Sequence, residues 1–383
     1  MTPLVWSAPV SLAMSELAGA IPDEGGYVTW VRRAFGPFWS FQVGWWSWIN
    51  SFVDMAVYPA LFVEYVRLWW PEMTSLERWG LTLAFIWGLT VLNMLGVKPV
   101  GRGAVLCAVV ALLPVAAMTV IAASRVKTAP WVPWAARGQG WTSVGVGLAV
   151  IMWNYSGWDT PATVLGETRA PERSFRAASF LALWVITASY VLPVVFALAA
   201  GSDWTTWTTG SLPKIAAAIG GQTLGHLVAL GAVVSSTGLF LALLLTNSRL
   251  PFILAQHGQL PRRLAAVHTR FGTPWLAVVL SSVVYSAFAV LTFEELVVLD
   301  IWLYSLALLV ELGAFLWLRR REPDLPRPYR VPGGRAGAVA AAVLPTLCAL
   351  VAMATAGVAS TLAGAAAALT GPVAYRAFAR SRR

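Results

Sequence analysis

Apolar runs of roughly 20 residues, the length that crosses a bilayer core as a helix, recur along nearly the whole chain and exclude most soluble folds at once. Eleven such runs can be counted, at about 3–21, 38–66, 80–97, 103–123, 142–165, 177–200, 223–249, 274–292, 296–318, 337–357 and 359–377. Polar or Pro/Gly-rich punctuation separates them, as at Pro22-Asp23-Glu24-Gly25-Gly26 and Arg319-Arg320-Arg321-Glu322-Pro323. Charged residues are only 11% of the 383, against about 25% in soluble globular proteins, too few to cover a solvated surface. The expected fold class is an all-α polytopic membrane protein, one transmembrane domain spanning 1–383. Met1 enters the first run without a basic leader, so no cleavable signal peptide is expected.

The net charge of +10 would suggest nucleic acid on a soluble chain; here it is a topology signal. If the first run passes from outside to inside, 21 of the 27 Lys and Arg lie in inside loops and 6 in outside loops. That bias places the chain in the plasma (inner) membrane with a cytoplasmic C-terminus, the lipid bilayer as its partner and no nucleic acid. The outer loops also carry Trp69, Trp70, Trp79, Trp131, Trp134, Trp141, Trp204 and Trp207, as an interfacial belt would. An odd number of runs leaves Met1 outside with no preceding helix, and the expectation is that a first span is missing. Cys107 and Cys348 sit inside apolar runs, and His226, His257 and His268 lack ligand spacing. No metal, cofactor or enzymatic nucleophile is expected.

Polar residues inside apolar runs each require a reason, because an embedded charge costs about 2.5–3.5 kcal/mol on insertion scales. The richest stretch is Trp153-Asn154-Tyr155-Ser156-Gly157-Trp158-Asp159-Thr160-Pro161, midway through 142–165. Pro161 lacks an amide hydrogen and clashes with the carbonyl of Gly157, which itself relaxes the backbone. A broken helix at that depth must be buried in protein or line a polar cavity, and transporters use such breaks to face charged solutes. The competing reading is a kinked helix whose polar groups satisfy one another.

Asp54 lies in 38–66, with Tyr58 one turn later and Pro59 beside it. Asp300, Tyr304 and Glu311 form one helical stripe about 16 Å long, fit to bind a cation or pass a proton. The alternative puts Asp300 solvated at the outer mouth and Glu311 on a structural partner. Glu16 is a further embedded acid. Ser235-Ser236-Thr237-Gly238 either lines an ion or substrate site or lets helices approach closely. Tyr27–Phe35 and Pro251–Arg270 read as interfacial connectors, and Leu212–Ile219 as a connector or a short lid.

In order and spacing, several segments resemble the amino acid–polyamine–organocation superfamily, closest to its L-type and polyamine-uptake permeases. They are Glu16-Leu17-Ala18 with Pro22–Tyr27 and Gly36-Pro37-Phe38-Trp39, then Asp54–Pro59, Trp153–Asp159 with Gly166-Glu167, and Pro326-Arg327-Pro328-Tyr329-Arg330-Val331-Pro332. Asp54–Pro59 and Trp153–Asp159 look most like polyamine permeases of plants and protists. The resemblance implies an inverted five-plus-five helix architecture, unwound helices around a central site, and alternating access. The family's first helix has no counterpart here, and the Lys of some proton-coupled relatives is absent from 103–123.

The expected function is secondary transport of an amino acid or polyamine, with H+ or Na+ as coupling ion. Trp153, Asn154, Tyr155, Ser156, Gly157, Trp158 and Asp159 would build the substrate site with Asp54 and Tyr58. Ser235, Ser236, Asp300, Tyr304, Glu311 and Glu16 are the coupling candidates. The alternative is a transport-incompetent or truncated homologue acting as a membrane sensor or assembly partner.

Overall fold

A computed structural model describes the backbone of residues 3–130, 141–208, 210–289 and 293–378, and the side chains of 5–130, 147–208, 210–289 and 299–378. Trp131 and Trp134 of the expected aromatic belt lie outside the described residues, as does the side chain of Trp141. Among the described residues the chain is helical, without strands. After a π-helical turn at Pro3–Ser7 come α1 (Ala8–Ala20), α2 (Tyr27–Phe35), α3 (Pro37–Val66), α4 (Ser75–Asn93), α5 (Val97–Ala123) and α6 (Trp141–Asn154). A 3-10 segment, Thr160–Glu167, leads to α7 (Pro171–Ala199), α8 (Leu212–Gly220), α9 (Gln222–Asn247) and α10 (Arg249–Gln256). The last four are α11 (Trp275–Phe288), α12 (Phe293–Arg321), α13 (Gly334–Thr355) and α14 (Val358–Phe378).

Six helices among the described residues are long and apolar enough to cross a membrane: Val97–Ala123, Pro171–Ala199, Gln222–Gln256, Leu299–Arg321, Gly334–Thr355 and Val358–Phe378. The other expected runs form shorter or more polar helices. α1, α6 and α11 have 13 to 14 residues, and the 30-residue α3 carries Gln42, Asn50, Asp54 and Glu64.

Apolar surface decides which helix goes where. The apolar windows of α5 and α7 are each only 11% buried, whereas that of α12 is 67% buried. Val105, Leu106 and Leu113 of α5 and Leu181 and Trp184 of α7 face outward, where lipid tails would replace protein. α12 and α3 occupy the middle, with Leu308, Leu312 and Phe315 packed near Phe41 and Val43.

The polar positions of α3 are used for packing. Pro372 of α14 has no amide hydrogen, so the carbonyl four residues back, at Ala368, lacks its helical donor. Trp46 of α3 supplies one: its Nε1 donates to that oxygen at 2.9 Å. Trp45 Nε1 donates to Thr370 Oγ1 at the same distance.

The Ser235–Gly238 stretch serves close packing of α9 on α5. A Cβ at Gly238 would stand 2.6 Å from Cys107 Cβ, so only glycine allows this approach. Ser236 and Thr237 donate to carbonyls of their own helix, at Ala232 (3.0 Å) and Val233 (2.9 Å). α8 packs Ile215, Ala216 and Ile219 against Met118, Ala122 and Val228, as a connector would.

The loops assigned to one side of the membrane by charge meet at one end of the molecule. There Arg33 pairs with Glu322 (2.7 Å), Arg249 with Glu167 (2.9 Å), and Gln259 Nε2 donates to the Pro37 carbonyl (2.7 Å). At the opposite end Trp69 Nε1 donates to His226 Nδ1 (3.1 Å), and Arg125 donates to the Ile219 carbonyl.

Glu16 belongs to the first of these ends, away from the acids described below. Its side chain is 1% exposed, pairs with Arg327 (3.2 Å) and Arg319 (3.5 Å), and accepts the Val331 amide at 2.7 Å. It therefore pins the loop after α12 onto α1. Removing one partner of a buried pair strands the other charge, at a cost of about 3–5 kcal/mol. Glu16→Ala is accordingly expected to lower the melting temperature of the detergent-solubilised protein well beyond a surface change such as Glu322→Ala. Equal melting of the two variants would remove the pinning role.

Candidate functional site

α6 stops at Asn154 and its direction is not resumed. Tyr155 and Ser156 amides still donate back to Met152 (3.1 Å) and Trp153 (3.2 Å), after which Gly157 takes φ +81°, a left-handed conformation that glycine adopts without strain. Pro161 then lies in the first turn of the 3-10 segment, where a missing amide hydrogen costs nothing. The proline thus marks a restart, and the expected clash inside a continuous helix does not arise.

Two side chains close the broken end of α6. Asn154 Nδ2 donates to the Val150 carbonyl (2.8 Å) and Ser156 Oγ to that of Trp153 (2.8 Å). Tyr155 and Trp158 point into packing: Tyr155 crosses Tyr190 of α7 edge to face at 5.4 Å, and Trp158 Nε1 donates to the Tyr155 carbonyl (2.8 Å). These two are buried, whereas Trp153, Asn154, Ser156 and Gly157 are half-buried. A Cβ at Gly157 would touch only Thr160 Oγ1, at 3.6 Å, so there is room beside the break.

Asp159 is the residue that enters the short helix, where unpaired amides face a negative charge. It is 4% exposed. Tyr304 of α12 donates to its Oδ1 at 2.7 Å and accepts the Gly157 amide at 3.1 Å, so one phenol clamps both sides of the break. Trp6 crosses the Tyr304 ring edge to face at 6.3 Å and, like Tyr304, is buried. Glu311, two turns further along α12 and 1% exposed, is an electrostatic neighbour of Asp159, and both act on the buried Tyr27 hydroxyl.

The second group stands on α3. Asp54 Oδ1 accepts Trp153 Nε1 at 3.1 Å and Tyr58 Oη at 3.2 Å, and the Tyr58 and Trp153 rings lie 6.3 Å apart. Asp300 of α12 is an electrostatic neighbour of Asp54 and hydrogen-bonds the Asn50 side chain. It is 2% exposed, so the reading that placed it solvated at the outer mouth is corrected: α12 is the most buried span and carries it inside.

The structure therefore brings Asp54, Tyr58, Trp153, Gly157, Asp159, Asp300, Tyr304 and Glu311 into one region. It sets Glu16, Ser235 and Ser236 apart, and turns Tyr155 and Trp158 away. Among the described residues, ion pairs engage Glu16, Glu64, Glu167 and Glu322, and none engages Asp54, Asp159, Asp300 or Glu311. The region is rich in acceptors and lacks cations, chemistry suited to a small cationic solute.

One end of this region is closed by a layer that sequence reasoning missed. Arg249 is fully buried, donates to Glu167 Oε1 (2.9 Å) and the Leu245 carbonyl (2.9 Å), and stands near Glu24. Burial and the Glu167 carboxylate push the Glu24 carboxyl up, against a lowering pull from Arg249. Gly26 (φ +46°) lies against the 3-10 segment, where a Cβ would meet Ala162 at 2.5 Å. Gly25 donates to the Thr163 carbonyl (3.3 Å), and Thr163 Oγ1 to the Thr246 carbonyl (3.1 Å). The polar run Thr246-Asn247-Ser248-Arg249 at the end of an apolar span was the available signal. At the opposite end an open cleft of about 340 Å³ lies between Leu68, Lys214, Gln222 and His226.

His257 sits behind this layer. Burial, reinforced by nearby Arg32, pushes it down to about 4 from the usual 6.5. Between those values the unfolded chain binds more protons than the folded one, so stability falls as pH drops from about 6.5 toward 4. His257→Gln is expected to flatten the dependence of melting temperature on pH across this window. A mutant curve parallel to the wild type would show that another group causes it.

Comparison with known proteins adds a whole-chain match. Residues 1–375 match the amino acid permease family. Polyamine transporter RMV1 of Arabidopsis thaliana is 33% identical over 356 residues, covering 92% of this chain and 72% of the relative. Polyamine transporter PUT1 of Oryza sativa subsp. japonica is 34% identical over 358 residues, 92% of this chain and 66% of the relative. The serine/threonine exchanger SteT of Bacillus subtilis is 26% identical over 336 residues, covering 84% and 74%.

Proposed function

This chain belongs to the amino acid permease family, and on that premise we propose that it is a secondary permease carrying an amino acid or a polyamine across a membrane by alternating access. The relatives are named as polyamine transporters, a serine/threonine exchanger and a branched-chain amino acid permease, and none as an enzyme. The proposal includes eleven spans in one domain, the inverted five-plus-five arrangement, and a cytoplasmic C-terminus in the plasma (inner) membrane. The end bearing Arg249 and Glu167 is then the cytoplasmic one.

The observation that carries this reading is the interruption after Asn154, with buried Asp159 held across it by Tyr304. A continuous helix would satisfy its own backbone; this one ends in the middle of the protein and sets a carboxyl beside half-buried backbone. Asp159 and Asp54 supply negative charge for an ammonium group. Trp153 and Tyr58 form an aromatic wall, favourable to a cation and to methylene groups alike. Asn154 and Ser156 shape the rim while capping α6. Coupling to H+ or Na+ draws on Glu311 through Asp159 and Tyr304, since the hydroxyl of Ser236 is engaged within its own helix and close packing governs that stretch of α9.

Uptake into proteoliposomes tests the reading, with imposed proton or sodium gradients identifying the coupling ion. Asp159→Asn is expected to reduce diamine uptake by at least roughly 10-fold, the weight of a charge-assisted hydrogen bond, while sparing neutral amino acids. Equal uptake of both substrates by the mutant would sink the acidic-site reading.

A further inference from the structure

Asp300, like Glu311, is a carboxylate of the central region held by no aromatic hydroxyl or indole among the described residues. Its residue is 2% exposed, and its Oδ1 has no hydrogen-bond partner among the described residues. The same is true of the Oδ1 of Asn50, whose side chain hydrogen-bonds Asp300. Asp54 stands beside them with its own Oδ1 already accepting Trp153 and Tyr58. Two neighbouring side chains, one on α3 and one on α12, thus each keep an acceptor atom that no donor or cation meets among the described residues. Leaving a buried acceptor unpaired costs about 1–3 kcal/mol, and more when it is charged.

We propose that Asp300, with Asp54 and Asn50, forms a second ammonium subsite, so that a diamine or polyamine binds with one cationic end here and the other at Asp159. The inference rests on the reading that Asp159 receives an ammonium group, and extends it to the substrate's far end. Asp300 and Tyr304 are one turn apart on α12, about 6 Å along the axis. Tyr304 reaches Asp159 from that point, so the two subsites are set by one rigid helix and the break facing it. One helical turn is about the length of a four-carbon diamine, which makes that diamine the first to test. Trp153 and Tyr58 stand at Asp54, and their ring faces would suit such a chain.

A neutral amino acid carries one ammonium group and a carboxylate. Its carboxylate has no basic partner in this region among the described residues and would stand near Asp300, which repels it. Asp300 is therefore a specificity-determining residue: it favours dications over zwitterions without being required to hold the first amine.

The test is equilibrium binding of putrescine and of butylamine, its monoamine counterpart, to the full chain in lipid nanodiscs, in choline and in sodium buffer. The wild type is expected to prefer putrescine by roughly 10-fold or more. Asp300→Asn should erase most of that preference while leaving butylamine affinity within about 2-fold of the wild type, and Asp300→Glu should restore part of it and shift the optimum toward a shorter diamine. Equal loss of both amines with an unshifted thermal melt would overturn the proposal, as would an unchanged preference, which would leave Asp300 as a carboxyl sharing a proton with Asp54. Sodium-dependent butylamine binding that disappears in Asp300→Asn would also overturn it, marking a sodium site. If the wild type binds neither amine but does bind neutral amino acids, the Asp159 reading fails together with this one. If it binds both amines equally, only the second subsite fails.

Discussion

Four carboxyls of the central region with no basic partner among the described residues set the terms for everything around them. An isolated ion transferred to a protein interior costs several kcal/mol even after relaxation, so Asp54, Asp159, Asp300 and Glu311 persist only because something offsets that cost. Part of the offset is local. Asp159 has a helix start and the Tyr304 hydroxyl, and Asp54 has the Trp153 indole and the Tyr58 hydroxyl. On the proposed reading the remainder is left to a proton or to a cation that arrives and departs.

The contrast with the carboxylates that do have an arginine sharpens this division. Glu16 with Arg327, Glu167 with Arg249, and Glu322 with Arg33 are each paired, and all lie at one end of the bundle. Such pairs hold loops to helices and have little use for a mobile cation. The same residue type therefore performs two tasks, and the presence or absence of an arginine within hydrogen-bond reach separates them.

Helix positions were legible in the sequence because apolar run length marks them, although only six of the helices among the described residues are long and apolar enough to cross a membrane. The break at Gly157 was legible because glycine, proline and four polar side chains gather at mid-span, where a continuous apolar helix has no need of them. Side-chain direction was less so. Tyr155 and Trp158 lie in the same stretch as Asp159 yet turn into packing against α7 and the end of α6, a consequence of the local turn that no linear pattern records. Ser235 and Ser236 read as a possible ion site until Gly238 is seen against Cys107, which makes that face a contact between helices. Glu16 looked like an embedded acid because its partners are over 300 residues away in the chain. Arg249 was hidden by the assumption that a basic residue after an apolar run is solvated.

How the central region gains access to either side depends on which contacts are cheap to break. The 3-10 segment after Asp159 is held by the Gly25 amide on the Thr163 carbonyl, by the Thr163 hydroxyl on the Thr246 carbonyl and by buried Ala162 and Leu165, and short 3-10 pieces have weaker internal bonding than α-helix. Arg249 joins Glu167 at the segment's end to the start of α10, so moving the segment requires that pair to part or to travel together. α12, by contrast, is buried along most of its length and carries Asp300, Tyr304 and Glu311 as a fixed ruler. Rocking that displaces the segment while α12 stays in place would stretch the Tyr304–Asp159 bond first, loosening the carboxyl from its hydroxyl at the moment one end opens. On the proposed reading, substrate release and gate opening would be a single event, because the phenol that clamps the break is also the group that holds the acid.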